Sequence, residues 1–183
     1  MSNQLSGEVP PSLSMCISLV GIRMGGNQLQ GIIPLELMAL PKLDILELNS
    51  NNLQGYALPS IISSTCGLKS LNIEDNHLFS PLPLAISNFS SLQEFDLSMN
   101  GILGSIPPKI CCLSQHLNSL DLSTDLLTGS LPASIALCSR LSQLKLSRNR
   151  LDGPIPLSLQ SIMSIDLSYN NFSGNALTGG PFI

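Results

Sequence analysis

Acidic side chains recur at one position of a repeated segment and are the first residues that could do chemistry. Asp96, Asp121 and Asp166 lie in the segments FDLS, LDLS and IDLS, and paired carboxylates are the acid and base of glycoside hydrolysis. Because all three share the same position, we interpret them as a solvated or ligand-facing stripe. The histidines, His77 and His116, lie in no recognisable nucleophile motif. We therefore predict no catalytic residue and no enzyme.

Cysteines could supply thiol, disulfide or metal chemistry. The adjacent Cys111 and Cys112 have no Cys-x-x-Cys spacing and no nearby ligand cluster, so we predict no metal site and no cofactor. Cys16, Cys66 and Cys138 each lie shortly before the first leucine of a repeated segment. This shared position favours a packing role as small buried side chains over a disulfide or a reactive thiol.

A repeat of about 24 residues positions all of these side chains. The pattern Leu-x-x-Leu-x-Leu-x-x-Asn-x-Leu recurs with spacings of 24, 24, 25, 24, 25, 24 and 21 residues between successive asparagine positions, and most units continue as Leu-x-Gly-x-Ile-Pro. Such a period is typical of leucine-rich solenoids. The asparagine positions are Asn3, Asn27, Asn51, Asn76, Asn100, Asp125, Asn149 and Asn170.

Each unit predicts one short strand. Leu46 and Leu48 alternate with Ile45 and Glu47, so one face of the strand is apolar. A single unit cannot bury that face, but stacked parallel strands can share it. We predict an α/β solenoid of short parallel strands with little helix, spanning residues 1–174 with a partial first repeat at 1–10, and an irregular tail at 175–183.

The asparagine column predicts a ladder of side-chain amides. An amide both donates and accepts hydrogen bonds, so it can satisfy backbone groups of its own unit and of the next. An ionised carboxylate only accepts, so Asp125 should leave a backbone carbonyl without its amide donor and make a local weak point. The predicted ladder residues are Asn27, Asn51, Asn76, Asn100, Asp125, Asn149 and Asn170.

Side chains between the core leucines should stand side by side on the exposed face of the sheet. They place an acidic field, which includes Glu94, beside a basic patch of Lys145, Arg148 and Arg150, and such zoning can orient a charged partner. Arg and Tyr are also enriched among binding hot spots. The predicted ligand-binding residues are Glu47, Asn72, Glu74, Asp75, Asp96, Asp121, Lys145, Arg148, Arg150 and Tyr169.

Composition excludes other classes of partner. The net charge of −4 argues against nucleic acid, which is bound through clustered Lys and Arg. No run of 18 apolar residues occurs, so we predict no membrane segment in this chain. The first residues lack a basic segment followed by an apolar core, so we expect no signal peptide in this chain either.

The Leu-x-Gly-x-Ile-Pro extension resembles the plant-specific leucine-rich repeats of receptor-like kinases, receptor-like proteins and polygalacturonase-inhibiting proteins. The resemblance implies a right-handed superhelix with a parallel sheet on its concave side. It also implies extracellular recognition of peptides, steroids, glycans or proteins, at the cell surface for the parent protein. The cysteine-bearing caps of complete ectodomains are absent from the sequence, which we interpret as a fragment.

Three functions remain open. The favoured one is a non-catalytic module of a receptor-like kinase or receptor-like protein that binds a peptide, small-molecule or protein ligand on the concave sheet, with a co-receptor as a further partner. The alternatives are an inhibitor of a cell-wall-degrading enzyme and a structural or ice-binding solenoid. The Asn-x-Ser sequons at Asn88 and Asn171 are candidate glycosylation sites, and Asn88 is preferred because we expect Asn171 at the concave edge.

Overall fold

The computed structural model describes residues 3–62, 66–111 and 116–174; the predicted tail at 175–183 lies outside them. We number the strands β1 to β15 along the chain. The even-numbered strands form one sheet of seven, the long sheet, and the odd-numbered strands form two sheets of four, together called the second sheet. The long sheet consists of β2 (Gly21–Arg23), β4 (Ile45–Glu47), β6 (Ser70–Asn72), β8 (Glu94–Asp96), β10 (Ser119–Asp121), β12 (Gln143–Lys145) and β14 (Ser164–Asp166). The second sheet consists of β1 (Ser6–Glu8), β3 (Gln28–Ile32), β5 (Asn52–Gly55), β7 (His77–Leu78), β9 (Leu103–Gly104), β11 (Leu126–Ser130), β13 (Arg150–Pro154) and β15 (Asn171–Ser173).

Parallel pairing in the long sheet aligns equivalent positions of successive units. Leu46 pairs with Leu71, and Leu120 pairs with Leu144, and all four side chains are fully buried. Because side chains alternate along a strand, the residues on either side of these leucines lie on the opposite face. The predicted solenoid of short parallel strands with little helix is confirmed.

The prediction of one strand per unit is wrong, because the units also contribute to the second sheet. The second strand starts beside the asparagine position, where Leu29 is buried between the exposed Gln28 and Gln30. Gly31 follows with a φ of +80°, a left-handed conformation that glycine adopts without steric cost. The x-Leu-x-Gly segment is therefore a strand with its own period-2 alternation.

Return segments close the core behind the two sheets. The described ones contain short 3-10 helices that follow a proline, whose fixed φ and missing N–H suit a helix start. Leu37, Ile135 and Leu159 from these helices are fully buried. None of the helices in the described ranges is long and apolar enough to cross a membrane. The 3-10 helices are Pro11–Met15, Leu35–Ala39, Leu84–Asn88, Ala133–Leu137 and Leu157–Ser161.

Side-chain amides of the asparagine column join the units. Asn76 Oδ1 accepts the N–H of Leu53 in the preceding unit, while its Nδ2 donates to the carbonyls of Leu48, Ile73 and Glu74 at 3.1–3.2 Å. Each amide therefore forms hydrogen bonds within its own turn and with the preceding unit. The same pattern recurs at Asn51, Asn100, Asn149 and Asn170.

The cysteines depart from the predicted packing role in two of three cases. Cys138 forms a disulfide with Cys111, with 4.9 Å between the Cα atoms, because the two residues lie on neighbouring return segments. Cys16 is exposed. Cys66 is buried as predicted, and burial raises the pKa of its thiol. Cys112 lies outside the described residues.

Candidate functional site

The exposed face of the long sheet carries two columns of side chains that the core does not use. The residue before each central apolar position forms a further column, two residues before the predicted one, of which only Glu94 belongs to the predicted acidic field. The further column is Gly21, Ile45, Ser70, Glu94, Ser119, Gln143 and Ser164. The predicted column is in register as Arg23, Glu47, Asn72, Asp96, Asp121, Lys145 and Asp166.

The aspartates of the predicted column fix the turns that follow their strands. Asp121 Oδ1 accepts the backbone N–H and the hydroxyl of Ser123 at 3.0 and 2.6 Å, and Asp96 and Asp166 bind their own serines in the same way. The hydroxyl of Ser168 lowers the pKa of Asp166. These Asx turns explain why Asp-Leu-Ser recurs and leave one carboxylate oxygen of each aspartate for other contacts.

Negative charge is crowded at the centre of the face. Partial burial raises the pKa of Glu74, and the nearby carboxylates of Asp96, Asp121 and Asp75 raise it further. Burial likewise raises the pKa of Asp96, although its bonds to the following serine oppose the shift. Like charges at close range disfavour the ionised forms. An arriving cationic group would relieve this repulsion.

The three predicted basic residues do not form one patch. Lys145 Nζ lies 3.1 Å from Asp121 Oδ2, and this ion pair raises the pKa of Lys145. Arg148 lies on the turn after β12 and is exposed, whereas Arg150 lies in β13 of the second sheet. The chain turns at Asn149 between them, so only Lys145 and Arg148 belong to the long-sheet side.

The turns after the long-sheet strands display a column of residues in the left-handed conformation, the left-handed column. Their φ values lie between 51° and 65°. The Arg148 guanidinium stacks over the Tyr169 ring at 4.5 Å, a cation–π contact, and Tyr169 is 72% exposed. This stacked pair is exposed to solvent beside the long-sheet face. The column is Gly26, Ser50, Asp75, Met99, Thr124, Arg148 and Tyr169.

A shallow cleft lies across the strands of the long sheet. Its volume is about 260 Å³, and Glu47, Ser70, Glu94 and Asp96 are among its lining residues. Two of its carboxylates have partners, because Glu94 accepts the Ser70 hydroxyl at 3.1 Å and Glu47 pairs with Arg23 at 3.2 Å. Small-molecule pockets usually measure at least ~300 Å³. The cleft therefore suits one side chain of a larger ligand better than an enclosed small molecule.

An apolar groove lies away from the long sheet and was not predicted. Its volume is about 340 Å³, and Ile32, Pro34 and Tyr56 are among its lining residues. Ile32 and Tyr56 are each 65% exposed, and the Tyr56 ring lies 6.4 Å from that of Phe79. The sequence does not predict this groove, because its residues come from two units. Ile32 and Tyr56 occupy a position whose residue type the repeat pattern does not specify.

The two sequons differ in accessibility, and the expected placement of Asn171 at the concave edge is wrong. Asn88 Nδ2 donates to the Ile62 carbonyl at 2.8 Å, so a glycan there must either replace the other amide hydrogen or displace that bond. Asn171 is exposed in β15 and pairs in register with Asp152 of the second sheet. A glycan at Asn171 would leave the long-sheet face free.

Comparisons with known proteins agree with this architecture. A family profile described as Leucine Rich Repeat matches residues 67–89, 91–113 and 140–162, whereas no curated protein sequence matches the chain. The ectodomain of the Arabidopsis thaliana receptor kinase GASSHO1/SCHENGEN3, solved with CASPARIAN STRIP INTEGRITY FACTOR 2, is 38% identical with a TM-score of 0.88 over 95% of this chain and 21% of its own. The Arabidopsis receptor kinase HAESA, solved with the peptide hormone IDA and the co-receptor SERK1, is 33% identical with a TM-score of 0.87 over 95% of this chain and 29% of its own.

A plant ice-binding protein is also similar, at 25% identity and a TM-score of 0.74 over 96% of this chain and 64% of its own. The chain thus spans between a fifth and a third of the two ectodomains. The repeated units, the two-sheet solenoid and these similarities lead to one conclusion: the chain contains leucine-rich repeats and resembles the ectodomains of plant receptor kinases.

Proposed function

We propose that the chain is a non-catalytic extracellular recognition module that binds a peptide or protein ligand on the exposed face of the long sheet. The observation that carries the proposal is the likeness to ectodomains solved with peptide ligands. The Cys111–Cys138 disulfide supports an extracellular setting, because disulfides persist in oxidising compartments. A co-receptor is a further proposed partner, by analogy with the HAESA complex.

The long-sheet face supports an extended ligand. Strand neighbours lie about 4.8 Å apart, so a peptide running across the strands meets a new pair of side chains at each unit. The proposed contacts at its centre are acidic, and Arg148 stacked on Tyr169 forms the proposed anchor at one rim. The proposed ligand-binding residues are Glu47, Asn72, Glu74, Asp75, Asp96, Asp121, Lys145, Arg148 and Tyr169.

Arg150 provides a matched control for Arg148. Both are exposed arginines two residues apart, but Arg148 lies on the turn after β12 and Arg150 lies in β13 of the second sheet. A library of linear peptides displayed on phage would be selected on the whole chain, and the enriched synthetic peptides titrated against Arg148→Glu and Arg150→Glu. We expect Arg148→Glu to weaken binding at least ~10-fold, equivalent to about 1.4 kcal/mol, while Arg150→Glu retains it.

Loss of binding in Arg150→Glu alone would place the ligand on the second sheet and contradict the proposal. Circular dichroism of each variant checks that the fold is intact. If both arginine variants still bind the peptides, a double variant, Glu74→Gln with Asp96→Asn, removes negative charge from the centre of the face. Peptides that also bind this double variant would show that the long-sheet face is not the binding site.

Ice binding is the second candidate, supported by the likeness to a plant ice-binding protein. The exposed columns of the long sheet mix charges of both signs, whereas a flat and regular Thr or Asn array is expected of an ice-binding face. Thermal hysteresis of the purified chain distinguishes the two functions: measurable hysteresis would favour ice binding over peptide recognition.

A further inference from the structure

Asp125 is the acidic rung of the ladder within the described residues. Its Oδ1 accepts the N–H of Ile102 at 2.9 Å, as Asn149 Oδ1 accepts that of Leu127 at 2.9 Å. Its second oxygen, Oδ2, is buried and has no hydrogen-bond partner in the described chain. Oδ1 of Asp125 is therefore hydrogen-bonded as in an asparagine rung, whereas Oδ2 has no partner in the described chain.

Oδ2 of Asp125 takes the place of the amide nitrogen that donates hydrogen bonds in the asparagine rungs. Asn149 Nδ2 donates to three backbone carbonyls, one in the preceding unit and two in its own turn. The equivalent carbonyls around Asp125 are those of Leu97, Leu122 and Ser123. Each keeps a donor from elsewhere, namely the neighbouring asparagine amides for the first two and a backbone N–H for the third. The orphaned atom is thus Oδ2 itself and not a carbonyl, contrary to the sequence expectation.

We propose that Asp125 is a proton-operated rung that makes the solenoid more stable at acidic than at neutral pH. The neutral carboxyl group carries an O–H at Oδ2, which donates toward the surrounding carbonyls as an asparagine amide does. Ionisation removes this proton to solvent and leaves a negative oxygen facing carbonyl oxygens, which repel it. The ladder of hydrogen bonds is then interrupted at Asp125, at the centre of the solenoid.

Charged groups near the rung act in the same direction. Burial raises the pKa of Asp125 to about 7, although the backbone N–H groups of Ile102 and Asn100 oppose the shift, and Asp121 and Asp96 on the long sheet raise the pKa further. Lys145 is engaged with Asp121, so it does not neutralise the rung directly. The rungs on either side are uncharged amides.

The sign of the pH dependence follows from proton uptake on folding. An aspartate in an unfolded chain titrates near pH ~3.9, so between about pH 4 and pH 7 the folded chain holds a proton that the unfolded chain has released. The contribution of Asp125 to stability is therefore fully present below the unfolded pKa. It falls as the pH rises toward the folded pKa of about 7 and is constant above it.

Thermal unfolding of the whole chain and of Asp125→Asn tests the proposal. Asparagine donates at every pH, so we expect the variant to exceed the native chain in Tm by about 2–4 °C at pH ~7.5. The difference should narrow steadily on acidification to about pH 4. Comparing the two chains cancels the titration of the long-sheet carboxylates. A difference that does not change with pH, or a variant less stable at neutral pH, would overturn the proposal.

Asn149→Asp is the reverse variant, because it creates a second acidic rung at an equivalent position. We expect it to unfold at a lower temperature than the native chain at neutral pH and to recover on acidification. If it is unfolded at neutral pH, refolding on acidification remains the expected result. Failure to refold, or a loss of Tm that is equal at both pH values, would contradict a proton-operated ladder.

Discussion

The long sheet and the second sheet are built from the same units, yet only the long sheet is continuous across them. Seven strands pair without interruption in the long sheet, whereas the second sheet is divided between β7 and β9. The division falls where Ser80 stands in place of the usual glycine, and a single isolated bridge, Pro81 to Leu103, crosses it. The long sheet repeats a central apolar residue in every strand, whereas the second sheet is interrupted at the unit that lacks the usual glycine.

The glycines of the second sheet share a positive φ, and at some of them close packing also disfavours a side chain. A Cβ at Gly55 would lie 3.1 Å from Ile32 Cγ2, and one at Gly153 would lie 3.2 Å from Ser130 Cβ. The residue after each glycine thus packs on the glycine of the next unit. Ser80 does not allow the close approach that a glycine allows. Its hydroxyl compensates for the missing glycine, because the side chain is buried and accepts the Ala57 N–H at 3.4 Å.

The largest expected effect is in the long sheet. Leu120→Ala removes a fully buried side chain of β10 and leaves a cavity that a stacked core cannot close, so we expect a loss of about 2–5 kcal/mol in the free energy of unfolding. Urea unfolding measures it. Leu126→Ala, at a 40% exposed position of the second sheet, is the control and should change stability by less than about 0.5 kcal/mol. Equal losses at both positions would contradict burial of the leucine as the source of the effect.

A smaller effect is expected at a glycine of the second sheet. Gly153→Ala forces an L side chain to a φ of +74° against Ser130, which should cost about 1–2 kcal/mol. The control is Gly67→Ala, because Gly67 has no positive φ and nothing within 4 Å of a new Cβ. If the two variants unfold at the same urea concentration, the close approach is not what limits this sheet.

The smallest effect is expected at the division itself. Ser80→Ala removes the acceptor of a buried N–H, so we expect a loss of about 0.5–1.5 kcal/mol together with faster hydrogen exchange at the Ala57 amide. Ser80→Thr keeps the hydroxyl and serves as the matched variant. Unchanged exchange at Ala57 in the alanine variant would show that the serine does not compensate for the missing glycine.

Much of the long sheet follows from the sequence because its signal is periodic. The register that places Asp96 beside Asp121 and Asp121 beside Lys145 is a direct consequence of the repeat length. The second sheet was missed because its alternation covers only a few residues after each asparagine. Arg150 was misplaced because adjacency in sequence was taken for adjacency on one face, while the chain changes sheets at Asn149.

Contacts between units are harder to derive. Cys111 and Cys138 are 27 residues apart, slightly more than one repeat, so their pairing depends on how return segments stack and not on any local motif. Asp125 was recognised as an exception, but which atom would lack a partner depends on the donors that neighbouring asparagines share. Such contacts between units can be identified only when the atomic positions are known.

The left-handed column has a consequence for engineering. Six of its residues are not glycine, although a left-handed conformation costs other residues roughly 1–2 kcal/mol. Met99 and Tyr169 point their side chains to solvent there, so exchanging them leaves the buried leucines and the ladder unaltered. A combinatorial library restricted to these turns would vary what the solenoid displays, unit by unit, without redesigning the scaffold that displays it.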